Sequence, residues 1–120
     1  MARVLVVDDT ESARTVLARL LRSDGFETAT ASNGSEAITA VEKSPPDLII
    51  LDLNMPQMDG LAVLQWLRDR PKHAAVAVVI LSAAGAADME RARALGAKVC
   101  LSKAKASWPE IQREIRGHTS

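Results

Sequence analysis

Three short runs of the chain are apolar at every position, and they constrain the fold more than any other feature. They cover residues 4–7, 48–51 and 76–81, with the sequences VLVV, LIIL and VAVVIL. A strand with one solvated face alternates apolar and polar residues, whereas a strand of a parallel sheet is covered on both faces and is apolar throughout. The runs therefore predict central strands of a parallel sheet, and two weaker runs at 27–31 and 98–101 predict peripheral strands.

Segments with helical spacing of apolar residues lie between these runs. Shorter stripes fall within 37–41, 61–67, 89–95 and 111–115, and Ser107 and Glu110 have the spacing of a capping box. The first stripe is the longest; Gly25 follows it, and its members are Ala13, Val16, Leu17, Leu20 and Leu21. Five repeats of strand then helix predict one doubly wound α/β domain with right-handed crossovers. We place this domain at residues 1–117, with 118–120 as a frayed tail.

Composition excludes several classes of protein. The chain has 120 residues with 15 basic and 15 acidic side chains, so its net charge is zero, and we expect no direct nucleic-acid binding. The single Cys100 excludes an internal disulfide. No apolar run reaches the ~18 residues that a membrane span needs, and the start lacks the pattern of a signal peptide, so we expect a cytoplasmic protein without membrane contact.

Charge is nevertheless uneven along the chain. Residues 1–60 carry ten acids and five bases (−5), and residues 61–120 carry five acids and ten bases (+5). The last third contains a set of basic residues that is a candidate docking face, although a solvated face is the commoner meaning of such a set: Arg91, Arg93, Lys98, Lys105, Arg113 and Arg116.

Polar residues follow the predicted strands where each one ends. Asp8 and Asp9 follow the first run, and Asp52, Ser82 and Lys103 follow the third, fourth and fifth. Carboxyl ends of parallel strands share one edge of the sheet, and ligands bind there. Clustered carboxylates repel one another, which a hard cation such as Mg²⁺ (or Mn²⁺) relieves. With a hydroxyl donor and an ammonium group, this set matches the needs of phosphoryl transfer to Asp52 as the nucleophile. Taken singly, each residue is more simply a helix cap or a surface side chain.

Several segments resemble the receiver domain of bacterial two-component response regulators, over nearly the whole chain. The segments are VLVVDD at 4–9, DLIILDLNMPQMDG at 47–60, ILSA at 80–83, and GA at 96–97 ahead of LSK at 101–103. The stretch from Asp52 to Gly60 is the most specific. The resemblance implies a (βα)5 fold with the flavodoxin-like strand order 2-1-3-4-5.

The resemblance also assigns roles at the metal site. It implies that Asp52 is the phosphoacceptor, that Asp9 ligates Mg²⁺ directly, and that Asp8 acts mainly through a bound water. The backbone carbonyl of Asn54 would be a further protein ligand.

Roles around the phosphoryl group follow in the same way. Ser82 and Lys103 would contact phosphoryl oxygens, as would the backbone N–H groups of Asn54 and Ala83. The phosphoryl donor would be a phosphohistidine on a sensor kinase or a histidine phosphotransfer protein, and the receiver itself catalyses its own phosphorylation and dephosphorylation. An output domain or effector would dock on the face of the fourth helix, fifth strand and fifth helix. Small Ala84 leaves the approach of water open, so we expect no exceptional phosphate lifetime.

The chain departs from the family pattern at two positions. Ala104 stands where a cis proline is usual, which predicts a trans bond after Lys103, a differently placed loop and Lys105 as a less favoured substitute. Cys100 stands where an aromatic residue usually moves inward on activation, and we interpret it as a small buried strand residue rather than a redox group.

Four functions remain open at this point. The first is a phosphorylation-controlled signalling receiver. A phosphohydrolase resembling the haloacid-dehalogenase type would need D-x-D on the first strand, where this chain has Asp8-Asp9. A flavodoxin-like flavin binder would need a phosphate loop there, which two acids oppose. The main alternative is a degenerate receiver that acts as a phosphorylation-independent docking module.

Overall fold

Strands and helices alternate strictly along the chain. A computed structural model describes residues 2–119, and it contains the five strand–helix repeats that the sequence predicts. The elements are β1 Arg3–Val7, α1 Glu11–Ser23, β2 Glu27–Ala31, α2 Gly34–Lys43, β3 Leu48–Leu51, α3 Gly60–Arg68, β4 Ala77–Ser82, α4 Ala86–Ala94, β5 Val99–Ser102 and α5 Trp108–Gly117.

The five strands form one sheet in the order β2-β1-β3-β4-β5, which confirms the predicted order. All four strand pairs are parallel, and the central pairing places Leu5 beside Ile49 and Val7 beside Leu51. The chain moves outward from β1 to β2 and then crosses to β3 on the other side of β1. Strand order reverses between β1 and β3, and in such sheets the ligand site lies beyond the carboxyl ends at this position.

Helices cover both faces of the sheet, which explains the continuously apolar runs. On one face, Val6 and Ile50 pack with Leu21 of α1 and Ile115 of α5. On the other face, the neighbouring strand positions pack with residues of α2, α3 and α4 such as Leu64. Successive residues of a strand point to opposite faces, so both must be apolar when both faces are covered.

One member of the predicted α1 stripe is exposed to solvent. Val16 is 55% exposed, whereas Leu17, Ala18 and Leu21 are at most 8% exposed. At about 100° per residue, Val16 lies roughly 145° from the middle of this buried arc. Ala18 takes the core position, and Val16 lies outside the core although it has the spacing of the stripe.

Helix ends follow the expected local chemistry. Gly25 and Gly96 adopt φ values of 92° and 87° after α1 and α4, a conformation that favours glycine. The predicted capping box of α5 is present between Ser107 and Glu110. α5 ends at Gly117, and Ser120 of the predicted tail lies outside the described residues, so the domain limits stay a prediction. Within residues 2–119, no helix has the length and apolar character needed to cross a bilayer.

Candidate functional site

The polar residues that follow the strands lie together at one edge of the sheet. Asp8 follows β1, Asp52 follows β3, Ser82 is the last residue of β4, and Lys103 follows β5. Asp8, Asp52 and Ser82 are almost fully buried, at 2%, 4% and 0% exposure. Carboxylates are rarely buried to this extent unless other groups satisfy them.

Asp52 is the centre of this group. Its Oδ1 accepts hydrogen bonds from the Ser82 hydroxyl at 2.7 Å and from the Asn54 backbone N–H at 3.0 Å. Its Oδ2 lies 3.2 Å from the Lys103 ammonium nitrogen. Both oxygens of one carboxylate are therefore contacted by groups able to stabilise negative charge.

Ser82 is held in one orientation by its surroundings. Its Oγ donates to Asp52 and accepts from the backbone N–H groups of Leu53 at 3.3 Å and Ala84 at 3.2 Å. A hydroxyl offers one donor and two lone pairs, so all three are used. The donor is thereby directed at the Asp52 carboxylate.

Lys103 joins the two buried carboxylates. Its Nζ lies 2.7 Å from Asp8 Oδ2 as well as 3.2 Å from Asp52 Oδ2. Partial burial lowers the pKa of Lys103, but the hydrogen bond to Asp8 and the charge of Asp52 outweigh this effect, so its pKa lies above its usual value. The ammonium group is therefore charged at neutral pH.

The departure at Ala104 does not remove Lys103 from the site. No peptide bond within residues 2–119 is cis, as the sequence predicts for the bond before Ala104. The backbone N–H of Lys103 donates to the Ser82 carbonyl at 3.0 Å, which aligns the end of β5 with β4. Lys105 is exposed and makes no ion pair with the described residues, so nothing in this geometry supports it as a substitute.

The acid pair has one buried and one exposed member. Asp8 Oδ1 accepts from the Thr10 backbone N–H at 2.8 Å, and its Oδ2 contacts Lys103. Asp9 is exposed, and its carboxylate makes no hydrogen bond or ion pair with the described residues. Asp8, Asp9 and Asp52 each present an oxygen within 4.8 Å of the others. Such a set of oxygen atoms suits a hard divalent cation.

Sequence analysis missed one residue of this edge. Arg14, in the first part of α1, donates from Nη1 to the backbone carbonyl of Asp8 at 2.8 Å. The only available signal was that a basic residue follows the acid pair closely in the chain. A hydrogen bond from an arginine side chain to a backbone carbonyl six residues earlier has no sequence pattern that predicts it.

An open cleft of about 490 Å³ adjoins the carboxylates. Its lining includes Asp9, Asn54 and Met55, together with Asp88 and Arg91 of α4. Asn54 and Ala83 are exposed, which leaves the two predicted phosphoryl-contacting positions accessible.

Gly60 lets α3 start directly against the strand end. A Cβ at this position would collide with the backbone carbonyl of Asp52 and lie 2.8 Å from the Cα of Leu53. The Gly60 N–H donates to the Leu53 carbonyl at 3.1 Å. The close approach fixes the loop that carries Asp52.

Cys100 lies between β5 and α4. It is half-buried rather than fully buried, and its Sγ is 3.6 Å from the Met89 carbonyl. Burial raises the pKa of the Cys100 thiol, which lowers its reactivity at neutral pH. These observations favour a packing role.

The basic residues of α4 are already paired. Arg91 and Arg93 form ion pairs with Asp88 and Glu90 at 2.9 and 2.6 Å, one helical turn apart. Exposed Lys98 makes no such pair within residues 2–119. The net positive charge of this face is thus smaller than the count of bases indicates.

Comparison with known proteins identifies the family. The chain matches the response regulator receiver domain over residues 4–115. It belongs to this family. Receiver domains of response regulators are signalling modules of two-component systems, in which aspartate phosphorylation and Mg²⁺ are typical.

Curated relatives are longer proteins. The transcriptional regulatory protein PrrA of Mycobacterium tuberculosis is 45% identical over 86 residues, which cover 72% of this chain and 36% of that protein. The DNA-binding response regulator MtrA of Mycolicibacterium smegmatis is 44% identical over 81 residues, covering 68% of this chain and 34% of MtrA. The receiver thus spans about a third of the curated relatives it matches.

Solved structures agree with the fold over almost the full chain. The chemotaxis protein CheY4 of Vibrio cholerae superposes with a TM-score of 0.90 at 28% identity, covering 98% of both chains. The signal receiver domain of a signal transduction histidine kinase from Syntrophus aciditrophicus gives a TM-score of 0.88 at 28% identity, covering 98% of this chain and 89% of that one. The phosphohydrolase and flavin-binder alternatives find no support here.

Proposed function

We propose that this receiver takes a phosphoryl group onto Asp52 from a phosphohistidine of a sensor kinase or histidine phosphotransfer protein, and switches a signalling output. One observation carries the proposal. A buried aspartate is contacted by the hydroxyl of Ser82 at 2.7 Å and the ammonium group of Lys103 at 3.2 Å, and two further carboxylates lie beside it. These are the groups that phosphoryl transfer needs.

A divalent cation fits the donor set. Asp8, Asp9 and Asp52 offer only oxygen atoms, which Mg²⁺ or Mn²⁺ prefers, and the Asn54 carbonyl is the fourth proposed ligand. Asp9 is exposed beside the cleft, so a partly hydrated ion can bind there. When bound, the ion neutralises charge on the phosphoryl oxygens and on the carboxylates around them.

The residues of this chain then act in defined ways. An oxygen of Asp52 forms the new bond to phosphorus as the bond from the donor imidazole nitrogen breaks, and the released imidazole takes up a proton. Ser82 and Lys103 transfer their hydrogen bonds from the Asp52 carboxylate to phosphoryl oxygens. The same donors serve the acceptor before the reaction and the product after it, so little reorganisation is needed.

Movement of Ser82 provides a route to an output. Its hydroxyl also accepts from the Ala84 N–H, at the start of the connection to α4. When the hydroxyl moves to donate to a phosphoryl oxygen, it pulls on this connection and changes the face formed by α4, β5 and α5. With Cys100 on β5 in place of an aromatic residue, we propose that α4 carries most of this change. The output domain or effector docks on that face, and the protein acts in the cytoplasm.

Phosphorylation of the isolated protein tests the proposal. The protein is incubated with Mg²⁺ and acetyl phosphate, and intact mass is recorded for wild type, Asp52→Asn and the control Asp88→Asn. Asp88 lines the same cleft but lies outside the carboxylate cluster. We expect one added phosphoryl group in wild type and the control, and none in Asp52→Asn.

The same experiment tests the alternative of a degenerate receiver. Unmodified wild type, or equal modification of Asp52→Asn, contradicts the phosphoacceptor assignment. Binding of beryllofluoride, followed by the fluorescence of Trp66 on α3 and Trp108 on α5, provides an independent measurement. The intact acid cluster and the contacts of Lys103 give the degenerate alternative no support.

A further inference from the structure

We propose that Arg14 is a positioning residue for the metal site, because its hydrogen bond to the Asp8 carbonyl fixes the peptide group that carries Asp9. This inference rests on the proposed function and names a determinant of its cation affinity. Arg14 does not touch the reacting atoms. It acts through the backbone of the acid pair.

The contact involves the peptide bond between the two acids. Arg14 Nη1 lies 2.8 Å from the Asp8 carbonyl oxygen, and the arginine is half-buried rather than extended into solvent. That carbonyl belongs to the Asp8–Asp9 peptide unit. Rotation about the Cα–C bond of Asp8 would break the hydrogen bond and would move the Cα of Asp9, so Arg14 restricts this rotation.

Asp9 depends on this restriction more than its neighbour does. The side chain of Asp8 is held by the backbone N–H of Thr10 and by Lys103. The backbone N–H of Asp8 donates to the Ala31 carbonyl at 3.1 Å. The Asp9 carboxylate has no contact of this kind with the described residues. Its position is therefore determined by the backbone on which it stands.

The charge of Arg14 acts on a second acidic residue outside the carboxylate cluster. Glu36, at the start of α2, is held by Ser32 hydrogen bonds that lower its pKa, and the charge of Arg14 contributes to this effect. Arg14 forms no ion pair with Asp8, Asp9 or Asp52.

Two effects of Arg14 on a cation have opposite signs. Its positive charge near the carboxylates repels a divalent ion, so loss of this charge would by itself tighten cation binding. Its hydrogen bond orders the backbone of the acid pair, so loss of this hydrogen bond would weaken cation binding. Residues that orient metal ligands typically change affinity by roughly 10–100-fold when they are replaced. We expect the positioning effect to be the larger one.

Mn²⁺ binding to the intact protein, followed by electron paramagnetic resonance of the free ion, tests the inference. We expect Arg14→Met to weaken Mn²⁺ binding roughly tenfold or more. Arg14→Lys keeps the charge and a donor and should recover most of the affinity. The control Arg19→Met, at an exposed position of the same helix, should bind like wild type.

The possible results separate this inference from the proposed function. Unchanged or tighter Mn²⁺ binding by Arg14→Met overturns the positioning role. Urea unfolding of each variant shows whether a loss of binding is caused by unfolding. If Arg14→Met is unfolded, the test falls to Arg14→Lys, and a folded Arg14→Lys that binds Mn²⁺ about tenfold or more weakly than wild type refutes the inference. If wild type does not bind Mn²⁺, the metal site itself is refuted. If wild type binds, Asp9→Asn does not, and Arg14→Met equals wild type, only the inference fails.

Discussion

Lys103 stabilises the folded protein by compensating two buried carboxylates, and Lys103→Met tests this directly. Its Nζ lies 2.7 Å from Asp8 and 3.2 Å from Asp52, and its side chain is 27% exposed. Methionine has similar length and fills the same space without a charge. The substitution therefore removes the electrostatic contribution and leaves the packing largely unchanged.

The magnitude follows from the distances. With an effective dielectric constant of about 20, attractions at 2.7 and 3.2 Å amount to about 6 and 5 kcal/mol. Desolvation of the three groups and the entropy of the lysine chain offset much of this sum, and removal of one partner of a buried pair typically costs about 3–5 kcal/mol. Because part of the lysine is in solvent, we expect a loss of about 2–4 kcal/mol.

Urea unfolding at pH 7 in the presence of a chelator measures this loss. Lys105→Met is the matched control, because Lys105 is exposed and should change stability by less than about 0.5 kcal/mol. Adding Asp8→Asn to Lys103→Met should recover stability, since it removes one of the two uncompensated charges. Equal stability of Lys103→Met and Lys105→Met would refute the electrostatic reasoning, as would strict additivity in the double variant.

Alkaline pH provides a second measurement on the same contact. The pKa of Lys103 is raised in the folded state, so its contribution is complete below the unfolded lysine pKa of about 10.4 and is lost as pH rises through the folded value. Wild type should therefore lose more stability above that pH than Lys103→Met does.

Three further substitutions test other parts of the site and its support. Gly60→Ala should destabilise the protein by about 2 kcal/mol and reduce acetyl phosphate labelling, because its Cβ would collide with backbone of the β3 end; a wild-type urea midpoint would contradict this. Gln57 has a φ of 66°, so Gln57→Gly should raise the free energy of unfolding by about 0.5 kcal/mol, and a decrease would show that this conformation is not strained. Arg68 donates to the carbonyls of four residues at 2.8–3.1 Å, tying α3 to the ends of the neighbouring connections. Arg68→Met should lower the free energy of unfolding by about 2–4 kcal/mol and speed amide hydrogen exchange around residues 95–98. Unchanged exchange there would show that Arg68 does not hold this connection.

Local pattern was sufficient for the order and type of the elements. The run at 48–51 is apolar at every position, and the polar Asp52 follows it at the point where the strand ends. Gly25 ends α1 as expected because φ there is positive. These properties depend on neighbouring residues alone, so the sequence carries them.

Burial of single residues depended on the packing partners. Val16 has the spacing of the α1 stripe but is 55% exposed, because the sheet contacts a narrower arc of the helix than the stripe covers. His73 lies in a stretch without apolar spacing, yet it is 7% exposed and stacks on Trp66 with ring centroids 5.6 Å apart. In both cases the packing partners, and not the spacing of apolar residues along the chain, determine what is covered.

The sequence by itself determined which chemical groups stand at the strand ends: two acids after β1, Asp52 after β3, and a hydroxyl and an amine at the ends of β4 and β5. Only the tertiary structure decided how these groups meet. It places Lys103 between Asp8 and Asp52 although Ala104 follows it, directs the Ser82 hydroxyl at Asp52, and brings Arg14 to the Asp8 carbonyl. The physical reason is that hydrogen bonds and ion pairs vary steeply over tenths of an ångström, and distances between different strands are set by the pairing of the whole sheet.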